Sequence, residues 1–387
     1  MFCAGYPSVE NPQKGIFSHR SAKVMAERFD VEIVLLRSFN FQRPPIVRYS
    51  YEGMPVIQLS IPQLPHREQG RLMAFNSRLL SWGIRLLLGR NFLKQAVAFH
   101  STMLIPTSMA VQPLADKLGI LHIGQSIGDD VNLYLSKVRT IPGMLRRLKR
   151  IDYIQCNSQA LEDTLIEYLP EVSERTFVLH RGVDTTLFSP SQKETDQGVL
   201  KVLFLGGVQT CSPELYETLN TKGAHVLMEG WKIFEKQKND VKLTFGGPGA
   251  SLHCVQSWKN ELDSPSNVDI IDSVSPSDVP TLLNAHDVVV IPSLYEGLPN
   301  LANESQSAGV PVVAANVGGV PESVVDRETG LLFTRGDSAG LADCLERMYS
   351  DSDLRNRLGV NGRDRMLKEF SWTNFADTLQ RKICSDQ

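Results

Sequence analysis

The chain has 387 residues, more than one hydrophobic core usually supports, so we expect two domains. A hydrophobic fraction of 42% and a charged fraction of 21% are typical of globular proteins and exclude a disordered or collagen-like chain. The formal net charge of -3 argues against a general nucleic-acid binder, because binding a polyanion needs surplus positive charge.

The cysteine and hydropathy patterns exclude two further classes of protein. The 6 cysteines are scattered without a C-x-x-C pair, which predicts neither a zinc site nor a disulfide framework and favours a reducing cytoplasm. No apolar run reaches the length of about 18 residues that spans a bilayer. The sequence also does not begin with a basic segment followed by an apolar stretch, the pattern of a secretory leader. We therefore expect a protein that is neither exported nor membrane-spanning.

Short apolar runs alternate with helix-like stretches along the whole chain. The first, within MFCAGYPS, is expected to form an unusually short strand. Runs that are apolar on both faces and joined by helical crossovers predict parallel sheets covered on both sides, an α/β fold. The later runs begin at Val31, Ala96, Gly119, Asp152, Thr176, Leu200, Val241, Val268, Asp287, Val310 and Gly330.

A polar stretch from Asp184 to Gly198 separates two series of strands and is interpreted as an interdomain linker. The predicted boundaries are a first domain over 1–187, a linker over 188–198 and a second domain over 199–368. An amphipathic C-terminal helix over 369–387 is expected to pack back on the first domain. Doubly wound sheets bind ligands beyond the carboxyl ends of their strands, so we expect the active site in a cleft between the domains.

The strongest chemical signal runs from Pro292 to Glu322. A buried strand ends at Ile291, a turn follows, and Pro299 suits the first position of a helix. The free N–H groups and the dipole of such a helix start predict a site for a diphosphate. Gly297, in the turn, permits a close approach of phosphate.

Two carboxylates bracket this predicted site. Glu296 lies in the turn, and Glu304 lies about two turns into the helix. A carboxylate accepts hydrogen bonds through two oxygens, which suits the vicinal diol of ribose or the hydroxyls of a sugar. The alternative is that both glutamates are surface charges of a helix.

This stretch resembles the signature of the family 4 glycosyltransferases, retaining enzymes of GT-B fold with two glutamates separated by seven residues. The GT-B fold comprises two doubly wound, Rossmann-like parallel-sheet domains that face a central cleft. The flanking matches are Ser293, Gly297, Pro299, Gly309, Pro311, Gly318, Gly319, Pro321 and Glu322. Weaker similarities begin at Tyr6, Cys156, Leu179, Thr221, Gly246 and Phe370.

The resemblance implies roles for individual residues. Lys222 would bind the diphosphate, Glu296 the donor sugar and Glu304 the ribose hydroxyls, with Glu296 and Lys222 as the catalytic residues. Backbone groups from Gly297 to Leu301 would hold phosphate and sugar. The further residues implied in donor binding are Leu298, Asn300, Leu301, Val274 beside the base, and Gly15 near the donor sugar or the acceptor.

Two positions depart from the family pattern. Gly207 stands where many members have an arginine that pairs with the diphosphate, and an inserted stretch separates it from Lys222. Ile127 replaces a histidine close to the donor sugar, and isoleucine forms no hydrogen bond through its side chain. Asp130 and His100 remain as candidates on the acceptor side, although a single histidine is more often structural.

The resemblance implies a metal-independent glycosyltransferase without a cofactor, in which the departing diphosphate takes the acceptor proton. The expected donor is a nucleotide-diphosphate hexose or N-acetylhexosamine, such as a UDP-sugar, and the acceptor is a hydroxyl of a glycan or lipid-linked saccharide. The N-terminal domain would handle the acceptor. Asp351 and Asp353 form the only Asp-x-Asp pair and are interpreted as a helix N-cap rather than as metal ligands.

Two alternatives remain at this point. A nucleotide-sugar epimerase of the same fold would need acid and base residues around the sugar, and the glutamate signature disfavours it. A catalytically silent donor-binding or scaffold subunit is suggested by Gly207, Ile127 and the short first strand.

Two basic stretches suggest where the acceptor is found. Residues 71–94 contain no acid and space Arg71, Arg78 and Arg85 by seven, on one helical face, and a second run extends over 137–150. Basic amphipathic helices bind anionic lipid headgroups, which predicts a cytoplasmic protein with peripheral membrane contact. The alternative is a solvated face over a buried apolar one.

Overall fold

A computed structural model describes residues 1–11, 14–42, 44–64, 70–191 and 198–385. The chain forms two compact units, Met1–Gly182 with Trp372–Gln387, and Val183–Ser371. Each unit is built on one sheet dominated by parallel strands, which confirms the predicted α/β class.

The first unit contains an eight-stranded sheet in the order β3-β4-β2-β1-β5-β6-β7-β8. All pairs are parallel except β3 with β4. The strands are β1 Phe2–Cys3, β2 Ile33–Ser38, β3 Ile46–Tyr51, β4 Met54–Ile61, β5 Ala98–Thr102, β6 Leu121–Ser126, β7 Tyr153–Cys156 and β8 Thr176–Val178. The first strand is as short as predicted, and the five later runs of this unit are confirmed as strands.

Helices connect the parallel strands of the first unit. They are α1 Ile16–Met25, α2 Gly70–Leu88, α3 Arg90–Leu93, α4 Met109–Leu118, α5 Ser136–Val138, α6 Pro142–Leu148 and α7 Gln159–Tyr168. Ser158 caps α7 by accepting a hydrogen bond from the N–H of Leu161. Strand order reverses between β1 and β5, so the loops after these two strands diverge at the carboxyl edge of the sheet.

The antiparallel hairpin of β3 and β4 was not anticipated by the strand prediction. Its turn contains Glu52 and Gly53, both with positive φ. Glu52 binds Nε2 of His19 at 3.1 Å, and Nδ1 of the same ring lies 2.8 Å from the hydroxyl of Tyr6. This chain of side chains fixes α1 and the loop before it to the hairpin, because His19 and Tyr6 are both buried.

The second unit contains a six-stranded, wholly parallel sheet in the order β11-β10-β9-β12-β13-β14. The strands are β9 Leu200–Leu205, β10 Val241–Gly246, β11 Val268–Ile271, β12 Val288–Ile291, β13 Val312–Asn316 and β14 Gly330–Thr334. All six predicted runs are confirmed. The helices are α8 Tyr216–Leu219, α9 Ala224–Phe234, α10 His253–Asn260, α11 Val279–Asn284, α12 Asn300–Ser307, α13 Val320–Ser323, α14 Ser338–Ser350 and α15 Ser352–Glu369.

The boundary between the units differs from the predicted linker over 188–198. The second unit begins at Val183, because Phe188 is fully buried in its core with Leu203 and Val310. Residues 192–197 of the predicted linker lie outside the described part of the chain. The last helix, α16 Trp372–Cys384, belongs to the first unit, where Phe375, Leu379 and Ile383 pack with Met25.

A disulfide joins Cys211 to Cys254 in the second unit, across 43 residues of sequence. The sequence analysis predicted no disulfide framework, and for these two residues that expectation is wrong. The two cysteines are far apart in sequence, so no short spacing indicates the pair. They meet because the fold brings the loop after β9 to the start of α10. The other cysteines, Cys3, Cys156, Cys344 and Cys384, are free.

Candidate functional site

The predicted donor site lies at the point in the second unit where strand order reverses. Strands β9 and β12 are neighbours, paired through Val202 and Val288, although they are far apart in sequence. The chain winds outward to β10 and β11 on one side and to β13 and β14 on the other. Loops leaving the carboxyl ends of β9 and β12 therefore diverge here and leave room for a ligand.

Backbone contacts hold these two loops together. The N–H of Leu294 donates to the carbonyl oxygen of Thr221 at 2.8 Å. Gly223 has φ of 70°, and a Cβ there would lie 1.8 Å from the carbonyl oxygen of Pro292. Only glycine fits this contact, which places the side chain of Lys222 beside the loop that contains Glu296.

Lys222 and Glu296 form an ion pair at the centre of the site. The Nζ of Lys222 lies 2.6 Å from Oε1 of Glu296 and is the donor in this contact. The hydroxyl of Ser293 donates to the same carboxylate oxygen at 2.9 Å. The lysine side chain is 48% exposed and that of the glutamate 10%, so the ammonium is the accessible partner. The inserted stretch between Gly207 and Lys222 thus leaves the lysine at the predicted site.

The helix α12 begins directly after this loop, as predicted. Its N-cap, Pro299, supplies no side-chain cap, and no acid lies in the first turn. The N–H groups of the first turn and the helix dipole therefore favour an anion. Glu304 lies further along α12 and is 8% exposed. Leu298 is buried in the core, so it can offer a ligand only its backbone.

Glycines shape the back of the site. Gly207 has φ of 71°, and a Cβ there would lie 2.5 Å from the carbonyl oxygen of Pro248. Gly318 has φ of 51°, and its Cβ would lie 2.0 Å from the carbonyl oxygen of Glu296. An arginine at Gly207 would not fit this backbone, which explains the departure from the family pattern in steric terms. Val274 lies in the loop after the edge strand β11 and is half-buried.

Two residues beside the site were missed by sequence reasoning. Ser293 was noted only as part of the signature, but its hydroxyl orients Glu296. The guanidinium of Arg335 lies 4.4 Å above the ring of Tyr295 and forms an ion pair with Glu217 at 2.6 Å. Arg335 could have been identified as a site residue from its position just after β14, at the carboxyl edge of the same sheet.

Three of the predicted residues, Gly15, Asp130 and His100, lie in the first unit. Gly15 caps α1 with φ of 73°, and a Cβ there would lie 2.2 Å from the carbonyl carbon of Gly5. This close approach requires glycine and closes the loop between β1 and α1. The backbone conformation thus explains why position 15 is a glycine. The predicted contact of Gly15 with a ligand stays a prediction.

Asp130 begins a short helical turn after β6, and its carboxylate has a structural role. Its fully buried carboxylate accepts N–H groups of Leu104 at 2.7 Å, Ile127 at 3.0 Å, Gly128 at 2.9 Å and Val131 at 3.1 Å. These donors occupy the lone pairs of both oxygens. Burial raises the pKa of this carboxyl, although the four N–H groups oppose the shift. Asp130 therefore positions the loops after β5 and β6.

His100 lies in the middle of β5 and is held neutral. Burial lowers the pKa of its imidazole to about 4, and the nearby side chain of Gln155 opposes this shift. The side chain borders a cavity of about 540 Å³ in the first unit, which Phe2, Phe99 and Leu379 also line. An uncharged, partly buried imidazole in mid-strand corresponds to the structural role that single histidines more often have.

The Asp351 prediction is confirmed, because its carboxylate caps α15 by accepting the N–H of Leu354 at 2.8 Å. Within the described ranges, no group of three His, Cys, Asp or Glu side chains could hold a metal ion. None of the described helices is long and apolar enough to cross a membrane.

A family model described as "Glycosyl transferases group 1" matches residues 216–365, which include Lys222, Glu296 and Glu304. Over this segment the chain is similar to the group 1 glycosyltransferases. The resemblance found in the signature around the two glutamates is thereby confirmed.

Curated relatives of the chain have several different names. The D-inositol 3-phosphate glycosyltransferase of Corynebacterium efficiens is 26% identical over 285 residues, 68% of this chain and 65% of that protein. The capsular polysaccharide biosynthesis glycosyltransferase CapM of Staphylococcus aureus is 34% identical over 39% of each chain. The first of these matches thus spans slightly less than two thirds of its relative.

Solved structures show that the glycosyltransferase fold extends over the whole chain. Sucrose-phosphate synthase from Thermosynechococcus elongatus matches with a TM-score of 0.74 at 17% identity, covering 100% of this chain and 99% of that one. HepE of Anabaena, solved in complex with UDP, matches with a TM-score of 0.70 at 17% identity and 99% coverage of both chains. The fold is GT-B, with two doubly wound α/β units, as predicted.

Proposed function

We propose that the protein is a retaining glycosyltransferase that moves a sugar from a nucleotide-diphosphate donor to a hydroxyl of an acceptor. The observation that carries the proposal is the Lys222–Glu296 pair at the strand-order reversal of the glycosyltransferase domain. A half-exposed ammonium beside an uncapped helix start forms an electropositive site for a diphosphate. The donor would therefore bind in the second unit.

Each polar group of this site has a proposed task. The ammonium of Lys222 and the N–H groups at the start of α12 would bind the two phosphates. Glu296, held by Ser293, would accept hydrogen bonds from the sugar hydroxyls, and Glu304 would accept those of the ribose. In the reaction the bond between the anomeric carbon and the diphosphate oxygen breaks, the acceptor oxygen bonds to that carbon, and its proton passes to the departing diphosphate. Charge stabilisation of the leaving group is thus the main contribution of the protein.

The donor base and the acceptor are proposed from the relatives. HepE was solved with UDP and with UDP-glucose, which supports a UDP-sugar as the donor. The names of the curated relatives include an inositol phosphate, a maltose 1-phosphate and a capsular polysaccharide. A sugar phosphate or a growing glycan is therefore the acceptor class that we propose, with no metal and no organic cofactor.

UDP is expected to raise the melting temperature of the wild type, and Glu304→Ala to lose most of that shift. Ligand at about 100 times its dissociation constant adds roughly 2.7 kcal/mol to folded-state stability, which a thermal scan detects. The matched control is Glu229→Ala, an exposed glutamate of α9 in the same unit, which should keep the full shift. GDP, ADP and CMP in parallel wells identify the base. An equal shift in Glu304→Ala and wild type would contradict the ribose role.

The N-terminal unit presents a surface that favours contact with an anionic membrane, the second part of the proposal. Along α2, the exposed face alternates Arg71, Arg78 and Arg85 with Phe75, Trp82 and Leu86. Trp82 is 63% exposed, which supports membrane contact over the alternative of a simple solvated face. Cationic and aromatic groups mixed on one helical face are typical of interfacial helices.

Arg78→Gln combined with Arg85→Gln is expected to weaken binding to vesicles that contain anionic phosphatidylglycerol. Each arginine near such a surface contributes about 1 kcal/mol, so the partition coefficient should fall roughly 30-fold. Vesicle sedimentation measures it. The matched control is Arg327→Gln with Arg357→Gln, two exposed arginines of the second unit, which gives the same net charge. If both double variants bind alike, α2 is not the contact.

A further inference from the structure

The side chain of Arg181 is a buried cation that takes no part in the proposed donor site. It follows β8 in the first unit and is 8% exposed. Its Nε has no hydrogen-bond acceptor in the part of the chain that the structure describes. Burial lowers the pKa of this guanidinium to about 10, opposed by the charge of Asp130. A buried guanidinium normally has hydrogen-bonded anions around it, since its desolvation is costly.

The protein compensates the charge of Arg181 only in part. Asp130 is the acid that acts on it, but the oxygens of Asp130 already accept four backbone N–H groups. That carboxylate therefore offers charge at a distance and little capacity for a further hydrogen bond. The planar fork of five donors in Arg181 is suited to bidentate binding of a phosphate.

The start of α1 lies next to Arg181. The guanidinium carbon is 5.9 Å from the ring centroid of Phe17, the second residue of this ten-residue helix. Gly15 provides no side-chain cap, and the first turn contains no acid. The first N–H groups and the helix dipole therefore add a second, independent attraction for an anion at this place.

Two more cations flank the same loop. Lys14 directly precedes Gly15, and burial together with the nearby charge of Arg37 lowers the pKa of its ammonium. The Nε of Arg37, at the end of β2, also has no acceptor within the described residues. Cations collected at one edge of a sheet favour a multivalent anion.

The loop before α1, which these cations flank, follows β1, where strand order reverses in the first unit. The loop after β1 leads to α1, and the loop after β5 is tied to Asp130 through the N–H of Leu104. Open α/β sheets bind ligands at such reversals. In the second unit the corresponding place is the proposed donor site, which makes the reversal in the first unit a candidate ligand position.

We propose that the first unit binds the phosphoryl group of a phosphorylated acceptor through Arg181 and the N-terminus of α1. This inference rests on the proposed glycosyltransferase function and specifies the acceptor class: a small sugar or polyol that carries a phosphate. The donor diphosphate is assigned to Lys222 and α12, so this second anion site serves a different phosphate.

The test is calorimetric titration of the full chain with inorganic phosphate and with glucose 6-phosphate, each in the presence of saturating UDP and again without UDP. Both should bind to the wild type, and glucose should not. Arg181→Gln should weaken both at least about tenfold, the loss expected for charge-assisted hydrogen bonds, while its affinity for UDP stays that of the wild type. Arg181→Lys, which keeps the charge but loses the fork, should bind with intermediate affinity.

Two controls separate binding from folding. Arg48→Gln removes an exposed arginine of the same unit and should leave phosphate binding unchanged. The melting temperature of ligand-free Arg181→Gln should equal or exceed that of the wild type, because an uncompensated buried charge is removed. A structural arginine would instead lower it.

The outcomes distinguish this inference from the proposed function. If UDP binds and depends on Glu304, but phosphate does not bind, the acceptor site is refuted and the donor site stands. If phosphate binds only without UDP, the anion position belongs to the donor diphosphate, which overturns the acceptor assignment. If UDP does not bind at all, the proposed function itself fails.

Discussion

Lys222→Met is expected to lower the turnover number by about 10²- to 10³-fold, the usual cost of removing a group that stabilises charge in the transition state. The ammonium lies 2.6 Å from Glu296, and in the proposed donor site it would lie where the sugar and the diphosphate separate. As the bond to the diphosphate breaks, negative charge grows on the leaving oxygen, and the lysine gains more attraction there than in the ground state. The loss should therefore appear in kcat more than in KM.

The measurement is initial-rate kinetics of transfer or of donor hydrolysis. Lys232→Met is the matched control, because Lys232 also forms a pair with a glutamate, Glu261 at 2.5 Å, on the surface of the same unit. This control should retain wild-type kcat. A Lys222→Met enzyme with more than half of the wild-type kcat would rule out the assigned role.

The double variant Lys222→Met with Glu296→Gln examines the pair as a unit. Only a tenth of the Glu296 side chain is exposed, so loss of the lysine leaves a nearly buried carboxylate without this cation. The sum of the losses in the two single variants should thus exceed the loss in the double variant. Neutral glutamine removes the unpaired carboxylate charge that Lys222→Met alone leaves behind. Full additivity in kcat/KM would show that the two residues act independently.

Much of the fold follows from the sequence, because parallel strands that are buried on both faces give uninterrupted apolar runs. All eleven predicted runs from Val31 to Gly330 correspond to strands. The hairpin of β3 and β4 escaped this pattern, since β4 holds Gln58 and Ser60 in the core. Strand β3, which pairs antiparallel with β4, forms the edge of the sheet. An antiparallel edge strand can face solvent on one side, so it needs no run that is apolar on both faces.

The candidate site could be predicted only in part. Helix start, turn glycine and glutamates are local features and were assigned from the signature. The contact of Lys222 with Glu296 spans 74 residues, and the pair of Arg335 with Glu217 spans 118. Such pairs depend on which carboxyl ends become neighbours in the sheet, and no spacing rule encodes that order. The same limit applies to the disulfide, whose cysteines are 43 residues apart.

The first unit is expected to lose stability steeply as the pH falls from 6.5 toward 4. Burial lowers the pKa of His100 to about 4 and that of His122 to about 3, with a smaller contribution to His122 from the neighbouring His100. In the unfolded chain both imidazoles titrate near 6.5. Between these values the unfolded state binds protons that the folded state does not, so acid favours unfolding. The stability is fully present above about pH 6.5, and each histidine removes about 1.4 kcal/mol per pH unit below it.

Hydrogen exchange of the β5 and β6 amides, corrected for intrinsic rates, measures this slope for the first unit alone. His122→Gln should approximately halve the slope, even though it weakens the fold at pH 7 by disturbing the 2.7 Å contact with Ser101. The exposed His253→Gln in the second unit is the control and should leave the slope unchanged. The slope distinguishes the two effects of this substitution. A loss of packing shifts the stability equally at every pH, whereas a buried neutral imidazole makes the stability depend on pH through proton uptake on unfolding. An unchanged slope in His122→Gln would show that this ring is protonated within the folded unit.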